Sequence, residues 1–200
     1  DAHSLADVLA GRSTVAGALQ PGPGGIHVLA GIWAIERVSD YPKAACDSLV
    51  GQFATLGDTA DWILADVGLA SGAMARRLCH AADLVLLVST PSNEAIMDTY
   101  AAIKTLATRQ PPILPAVLFN AVPRTAESDA APNRLALACR RFLGFEPSTI
   151  GYVELDSEVR RAAGLGDPFV LSMPTSTVAR QVYRAARNLC SLPILLRRGA

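Results

Sequence analysis

The stretch Asp83-Leu84-Val85-Leu86-Leu87-Val88-Ser89-Thr90 constrains this chain more than any other. Large apolar residues run without interruption from Leu84 to Val88, with an acid before them and Ser89-Thr90-Pro91 after them. A run of that length without polar alternation predicts a strand buried on both faces. Such strands belong to parallel sheets covered above and below by helices. The next segments fit that reading. Ser92 to Thr108 predicts a long helix with Ile96, Tyr100, Ile103 and Leu106-Ala107 on one stripe, broken by Pro111-Pro112. Ile113 to Asn120 predicts another strand, ending on a polar residue.

The same alternation runs along the rest of the chain. Ser4 is placed to cap a short helix in which Leu5, Val8 and Leu9 share a face, and Gly11 ends it. Pro21-Gly22-Pro23-Gly24-Gly25 predicts a turn, and Ile26 to Gly31 a strand. Lys43 to Leu56 carries Leu49, Val50, Phe53 and Leu56 at helical spacing, and Trp62 to Asp66 follows as a strand. Helices are expected over Ser71 to His80 (Met74 and Leu78 inward), Glu127 to Leu143, Asp156 to Ala163 and Ser176 to Leu192, with a short strand at Thr149 to Val153. Successive βαβ units predict an α/β fold: a three-layer arrangement of a parallel sheet with helices on both faces. The 200 residues suit one domain over residues 1–192 with a tail at 193–200.

Composition narrows the function classes. The charges balance, 18 basic against 18 acidic, with no long like-charge run and few aromatics, so no nucleic-acid partner is expected. Cys46, Cys79, Cys139 and Cys190 are far apart and contain no C-x-x-C pair, which reads as buried, reduced thiols of a cytoplasmic protein. His3, His27 and His80 are equally scattered, so no zinc site is expected. No signal peptide and no membrane-spanning run is visible.

In open α/β sheets, ligands sit at the carboxyl ends of the strands. Trp62-Ile63-Leu64-Ala65-Asp66-Val67-Gly68 is an apolar run ending on an acid, with a glycine where the backbone must turn. That is the layout of a Walker B or switch II segment, in which a carboxylate holds a magnesium-bound water beside nucleotide phosphates. With Thr90 and Asn120, the same rim offers an acid, a hydroxyl and an amide, for a metal ion, a phosphate and a base. Each has a plainer reading. An Asp after a strand often only caps the next helix, Thr90 before Pro91 is ordinary turn chemistry, and Asn120 can simply end its strand. No G-x-x-x-x-G-K-S/T phosphate loop occurs in the sequence.

The order of these motifs resembles the MinD/ParA-type ATPases, in particular the FlhG-like regulators of flagellar number. Leu5 to Arg12 and Pro21 to Leu29 resemble the segment after switch I. Ile63 to Gly68 resembles the switch II strand, and Ala81-Ala82-Asp83 through Thr90-Pro91, followed by Ala95 to Tyr100, resembles the family's next strand and helix. Leu118-Phe119-Asn120-Ala121-Val122 is similar to the element whose Asn contacts adenine. Phe142-Leu143-Gly144, Ile150 to Val153, Asp156, Val159, Ala162 and Pro168-Phe169-Val170 resemble the C-terminal third.

The resemblance implies a P-loop-type α/β fold lacking its first strand and phosphate loop, with ATP and Mg²⁺ as cofactors. It implies Asp66 and Gly68 as catalytic switch residues, Asp66 acting on magnesium through water. Cofactor contacts fall to Thr90, Asn120 and Asp156. It also implies an ATP-dependent homodimer and protein partners in flagellar or division machinery.

Two departures stand out: Ser92 follows Thr90-Pro91 where the family has Glu, and Val153-Glu154 replaces an Ile-Pro pair near the adenine. In the family the phosphate-loop strand lies between the Asp66 and Val85–Val88 strands. The chain is therefore expected to be part of a longer protein, or else to close those two edges on each other, and on its own not to hydrolyse ATP. The other readings are a non-enzymatic pseudo-ATPase interaction module of the same fold, and a dinucleotide-dependent oxidoreductase, which lacks the G-x-G-x-x-G turn. Leu192 to Arg198 sets apolar residues beside two arginines, and implies either a frayed end or weak peripheral contact with a membrane.

Overall fold

Residue contacts divide the chain into two compact units, 1–82 and 83–200. The structure, a computed structural model, describes residues 3–31, 42–68, 72–108, 113–124 and 130–193. The Pro111-Pro112 break, the first residues of the helices expected from Ser71 and Glu127, and the tail after Pro193 lie outside the described residues.

The first unit is helical with a small ribbon. Helix α1 (Leu5–Leu9) starts where the sequence places it: the Ser4 N–H and hydroxyl both donate to the Asp7 carboxylate, at 2.9 and 3.0 Å. Gly11, at φ 72°, lies just past its end. Thr14 caps the short helix α2 (Val15–Ala18), which periodicity did not reveal. Strands β1 (Leu19–Pro21) and β2 (His27–Leu29) pair antiparallel across the expected Pro-Gly turn. The Ile26–Gly31 strand is therefore real, but it belongs to a hairpin rather than to a βαβ unit. Helices α3 (Lys43–Thr55) and α4 (Ala73–Ala81) complete the unit. Val8, Leu9, Val15, Ala18, Cys46, Leu49 and Met74 form its buried core.

One expected strand is not formed. Trp62 to Val67 is assigned to no strand and has no paired neighbour among the described residues. Trp62, Ile63 and Leu64 are exposed, Leu64 at 86%. A strand needs a hydrogen-bonded neighbour as well as an apolar sequence, and none of the described strands supplies one.

The second unit is the predicted parallel sheet. Strands β3 (Leu86–Ser89), β4 (Ala116–Val122) and β5 (Ser148–Glu154) lie in the order β3-β4-β5, both pairs parallel. Side chains alternate across β4. Val117 and Phe119, both fully buried, pack with Ile96 and Ile103 of helix α5 (Asn93–Ala107) and with Leu135 and Cys139 of helix α6 (Ala130–Leu143). Ala116 and Leu118 face the opposite way, joining Ile150 and Ala185 of helix α9 (Thr177–Cys190). Three layers result: α5 and α6, the sheet, and α9. Helices α7 (Ser157–Gly164) and α8 (Phe169–Ser172) connect β5 to α9; α8 was not visible in the sequence.

The Asp83–Thr90 run is a strand, but it is not buried on both faces. β3 is an edge strand: Leu87 and Ser89 turn into the α5/α6 core, while Leu86 and Val88 are exposed at 38% and 60%. No described strand pairs with its outer edge. The apolar run is therefore more hydrophobic than its observed burial requires. Cys46, Cys79 and Cys139 are buried as expected, whereas Cys190, at the end of α9, is exposed.

Candidate functional site

Parallel pairing brings Thr90 and Asn120 side by side at the carboxyl edge of the sheet. Ser89 is in register with Phe119, so the residues that follow each of them leave the core together. Ser92 caps α5 by accepting the Ala95 N–H at 3.2 Å, and the Thr90 and Ser92 hydroxyls lie 3.3 Å apart. Arg134 of α6 donates to the Asn93 amide oxygen at 2.6 Å and to the Pro91 carbonyl at 3.2 Å, tying this turn to the next helix. Asp156 follows β5 on the same edge and caps α7, its carboxylate accepting the Glu158 N–H at 2.8 Å. Asp156 thus has a local role as a helix cap.

Asn120 does not end its strand. β4 runs on to Val122, and the register with β5 slips between Phe119 and Val122. Asn120 and Ala121 occupy this irregularity as a bulge. Ala121 sits at φ 55°, and among the described residues no other non-glycine residue has a positive φ. That conformation costs an alanine about 1–2 kcal/mol. Strain of this kind persists only where surrounding contacts impose it, and it concentrates at functional rims. The Asn120 amide oxygen accepts the Ala121 N–H at 2.9 Å, which fixes the orientation of an otherwise exposed amide.

Asp66 and Gly68 belong to the first unit. The expected turn is present there: Gly68 has φ 56°, and its N–H donates to the Asp66 carboxylate at 3.0 Å. Asp66 is exposed, and it does not stand at the end of a paired strand. The structure therefore gathers Thr90, Asn120 and Asp156 on one rim of the second unit, and Asp66 and Gly68 form a turn of the first.

Comparison with known proteins gives the pattern relatives. No family model matches the chain. The antiactivator FleN of Pseudomonas aeruginosa is 25% identical over 192 residues, covering 96% of this chain and 69% of FleN. The flagellum site-determining protein YlxH of Helicobacter pylori is 29% identical over 144 residues, covering 72% of this chain and 45% of YlxH. Among solved structures, the septum site-determining protein MinD of Pyrococcus horikoshii in complex with Mg-ADP superposes with a TM-score of 0.71 at 20% identity, over 96% of this chain and 74% of MinD. The chain is thus similar in sequence to FleN and YlxH and shares the fold of MinD.

The residues on the rim fit part of a nucleotide. The rim supplies an oriented amide and a hydroxyl, the groups a base and a phosphate oxygen need. Asp66, in the first unit, is an exposed carboxylate. Among the described residues no group of three His, Cys, Asp or Glu side chains offers a direct metal cage. Charge neutralisation of phosphates by a lysine in a glycine-rich turn is not provided within these 200 residues.

Three polar residues beside this rim were not legible as a group. Arg124 Nε donates to Glu154 Oε2 at 2.9 Å, Gln181 Nε2 donates to Glu154 Oε1 at 3.0 Å, and the Glu154 N–H donates to Gln181 Oε1 at 2.9 Å. The partners stand 27 and 30 residues from Glu154. The only available signal was that Glu154 stands where the family has a proline.

Proposed function

We propose that this chain is part of an ATP-dependent molecular switch of the MinD/ParA type that sets the position or number of flagella or division machinery. The observation that carries the reading is the rim, where a strained bulge presents the Asn120 amide beside Thr90 on the carboxyl edge of a parallel sheet. The names of its relatives support it: an antiactivator, a flagellum site-determining protein, and a MinD solved with Mg-ADP.

In this reading Asn120 reads the adenine, Thr90 and Asp156 line the nucleotide side of the rim, and Asp66 orients a magnesium-bound water. Bound magnesium supplies charge neutralisation at the phosphates. Gly68 gives the Asp66 turn the freedom to change conformation with the state of the nucleotide. ATP promotes a two-fold homodimer that engages a protein partner, and hydrolysis releases it. The chain acts in the cytoplasm. Among the described residues no helix is long and apolar enough to cross a membrane. Residues 1–200 by themselves do not turn over ATP, because they carry no lysine in a glycine-rich turn.

Calorimetry with Mg·ATP on the intact gene product tests this. Asn120→Ala should weaken ATP binding, and Asp66→Ala should abolish magnesium-dependent turnover. Unchanged turnover in Asp66→Ala would refute its assignment. Absence of any ATP binding by a well-folded protein would favour the pseudo-ATPase interaction module instead.

A further inference from the structure

Glu154 closes β5 and is the meeting point of three elements. Its carboxylate, with 20% of the side chain exposed, has both oxygens engaged: Oε2 by Arg124, two residues past the end of β4, and Oε1 by Gln181 on α9. The Gln181 contact is reciprocal, since the Glu154 N–H returns a bond to the same amide. Backbone pairing adds a further tie: Val122 is in register with Glu154, and the Leu155 N–H donates to the Val122 carbonyl at 2.9 Å. These contacts fix the chain immediately after the Asn120–Ala121 bulge, while Phe119, fully buried, fixes it immediately before. A left-handed alanine is held only if both sides are held.

The bulge matters because of what it presents. An Asn amide can offer a paired donor and acceptor to the N6 and N7 edge of adenine. The Ala121 N–H requires an acceptor, so it orients the Asn120 amide. The orientation of that amide thus depends on the Ala121 backbone, and the Ala121 backbone on what holds the end of β4.

We infer that the Arg124–Glu154–Gln181 clamp is the positioning device for base recognition, holding the strained Asn120–Ala121 bulge so that the Asn120 amide meets an adenine base in a fixed orientation. This rests on the ATP-switch reading. Glu154 is a positioning residue: it acts through Asn120 and the bulge.

The test compares ATP with inorganic tripolyphosphate, which has the phosphates and no base, on the intact gene product. Binding is measured for the wild type, Arg124→Met, Glu154→Ala, Asn120→Ala and the Glu154→Ala/Asn120→Ala double variant. Glu154→Ala and Arg124→Met should each weaken ATP by about tenfold, the scale of one lost hydrogen bond, and leave tripolyphosphate unchanged. The double variant should bind ATP no worse than Asn120→Ala alone, because the clamp acts through that amide.

Equal losses for both ligands, no loss for ATP, or fully additive losses would overturn the clamp while leaving the switch reading in place. A wild-type protein that binds ATP no better than tripolyphosphate, or binds neither, would overturn the switch reading and the clamp with it. Should Glu154→Ala not fold, Arg124→Met carries the test, since the Arg124 side chain is 67% exposed and reaches a single carboxylate oxygen.

Discussion

Thr99 Oγ1 donates to Ser89 Oγ at 2.8 Å across the junction of α5 and β3. Both residues are buried, and the Ala95 carbonyl lies within reach of both hydroxyls, at 2.6 Å from Thr99 and 3.3 Å from Ser89. This small polar network fixes the end of β3 one residue before Thr90, so it couples the interior of the second unit to the candidate rim.

Removing the Thr99 hydroxyl should therefore destabilise the fold. Thr99→Val keeps the shape of the side chain but leaves Ser89 short of a partner, at a cost of about 1–2 kcal/mol. Urea unfolding of Thr99→Val, Ser89→Ala and the double variant checks this. The double variant should lose less than the sum of the two singles, because the two residues share one network.

Gly151 is predicted to resist replacement for reasons of backbone conformation, not space. It sits at φ 148°, where the β5 register slips, and a Cβ added there would meet the Ala185 Cβ at an ordinary 3.8 Å. Gly151→Ala should cost about 1–3 kcal/mol through strain alone. Adding Ala185→Gly should give no rescue in thermal or chemical unfolding, whereas a steric origin would predict recovery.

Acid should weaken the first turn of α1. Asp7 accepts the Ser4 N–H, two bonds from the Arg12 guanidinium and the Ser4 hydroxyl, and these contacts hold its pKa at about 2 against an ordinary 3.8. Because the folded value is the lower one, the contribution is present above the unfolded value and is lost as pH falls from about 4 towards 2. Thermal melts across that window should show a shallower pH dependence for Asp7→Asn than for the wild type. Identical slopes would remove Asp7 as the source.

Thiol chemistry should separate the cysteines. Cys190 is exposed, whereas Cys139 is buried, and burial, followed by the Glu146 charge, pushes its thiol pKa up. Native-state labelling at neutral pH should modify Cys190 first, and Cys190→Ser should remove the fast phase. Cys139 should react only on unfolding.

Much of the second unit was legible because its signals are local. The stripe of Ile96, Tyr100, Ile103 and Leu106 fixes one face of α5, and the apolar segment from Ala116 to Phe119 marks a strand that must be covered on both sides. Caps at Ser4, Ser92, Asp156 and Ser176 fell where short polar side chains precede apolar periodicity. The Asp66 segment shows the limit of such signals. Its turn, with Gly68 at positive φ, is set by residues two apart, whereas its pairing as a strand depends on a neighbour that its own sequence does not specify.

The sequence by itself determined the α/β class and the helix faces and set Thr90 and Asn120 near strand ends, since periodicity, capping and turn chemistry act over a few residues; Asp156 was named only by the family resemblance, and Asp66 was expected at the end of a strand that the structure does not form. Only the tertiary structure decided that β3 is an edge strand, that β2 belongs to an antiparallel hairpin, and that Ala121 is held in a left-handed bulge. It alone also joined Arg124, Glu154 and Gln181. Those features depend on which segments become neighbours, a choice made by packing between residues tens of positions apart, on which local propensity carries no information.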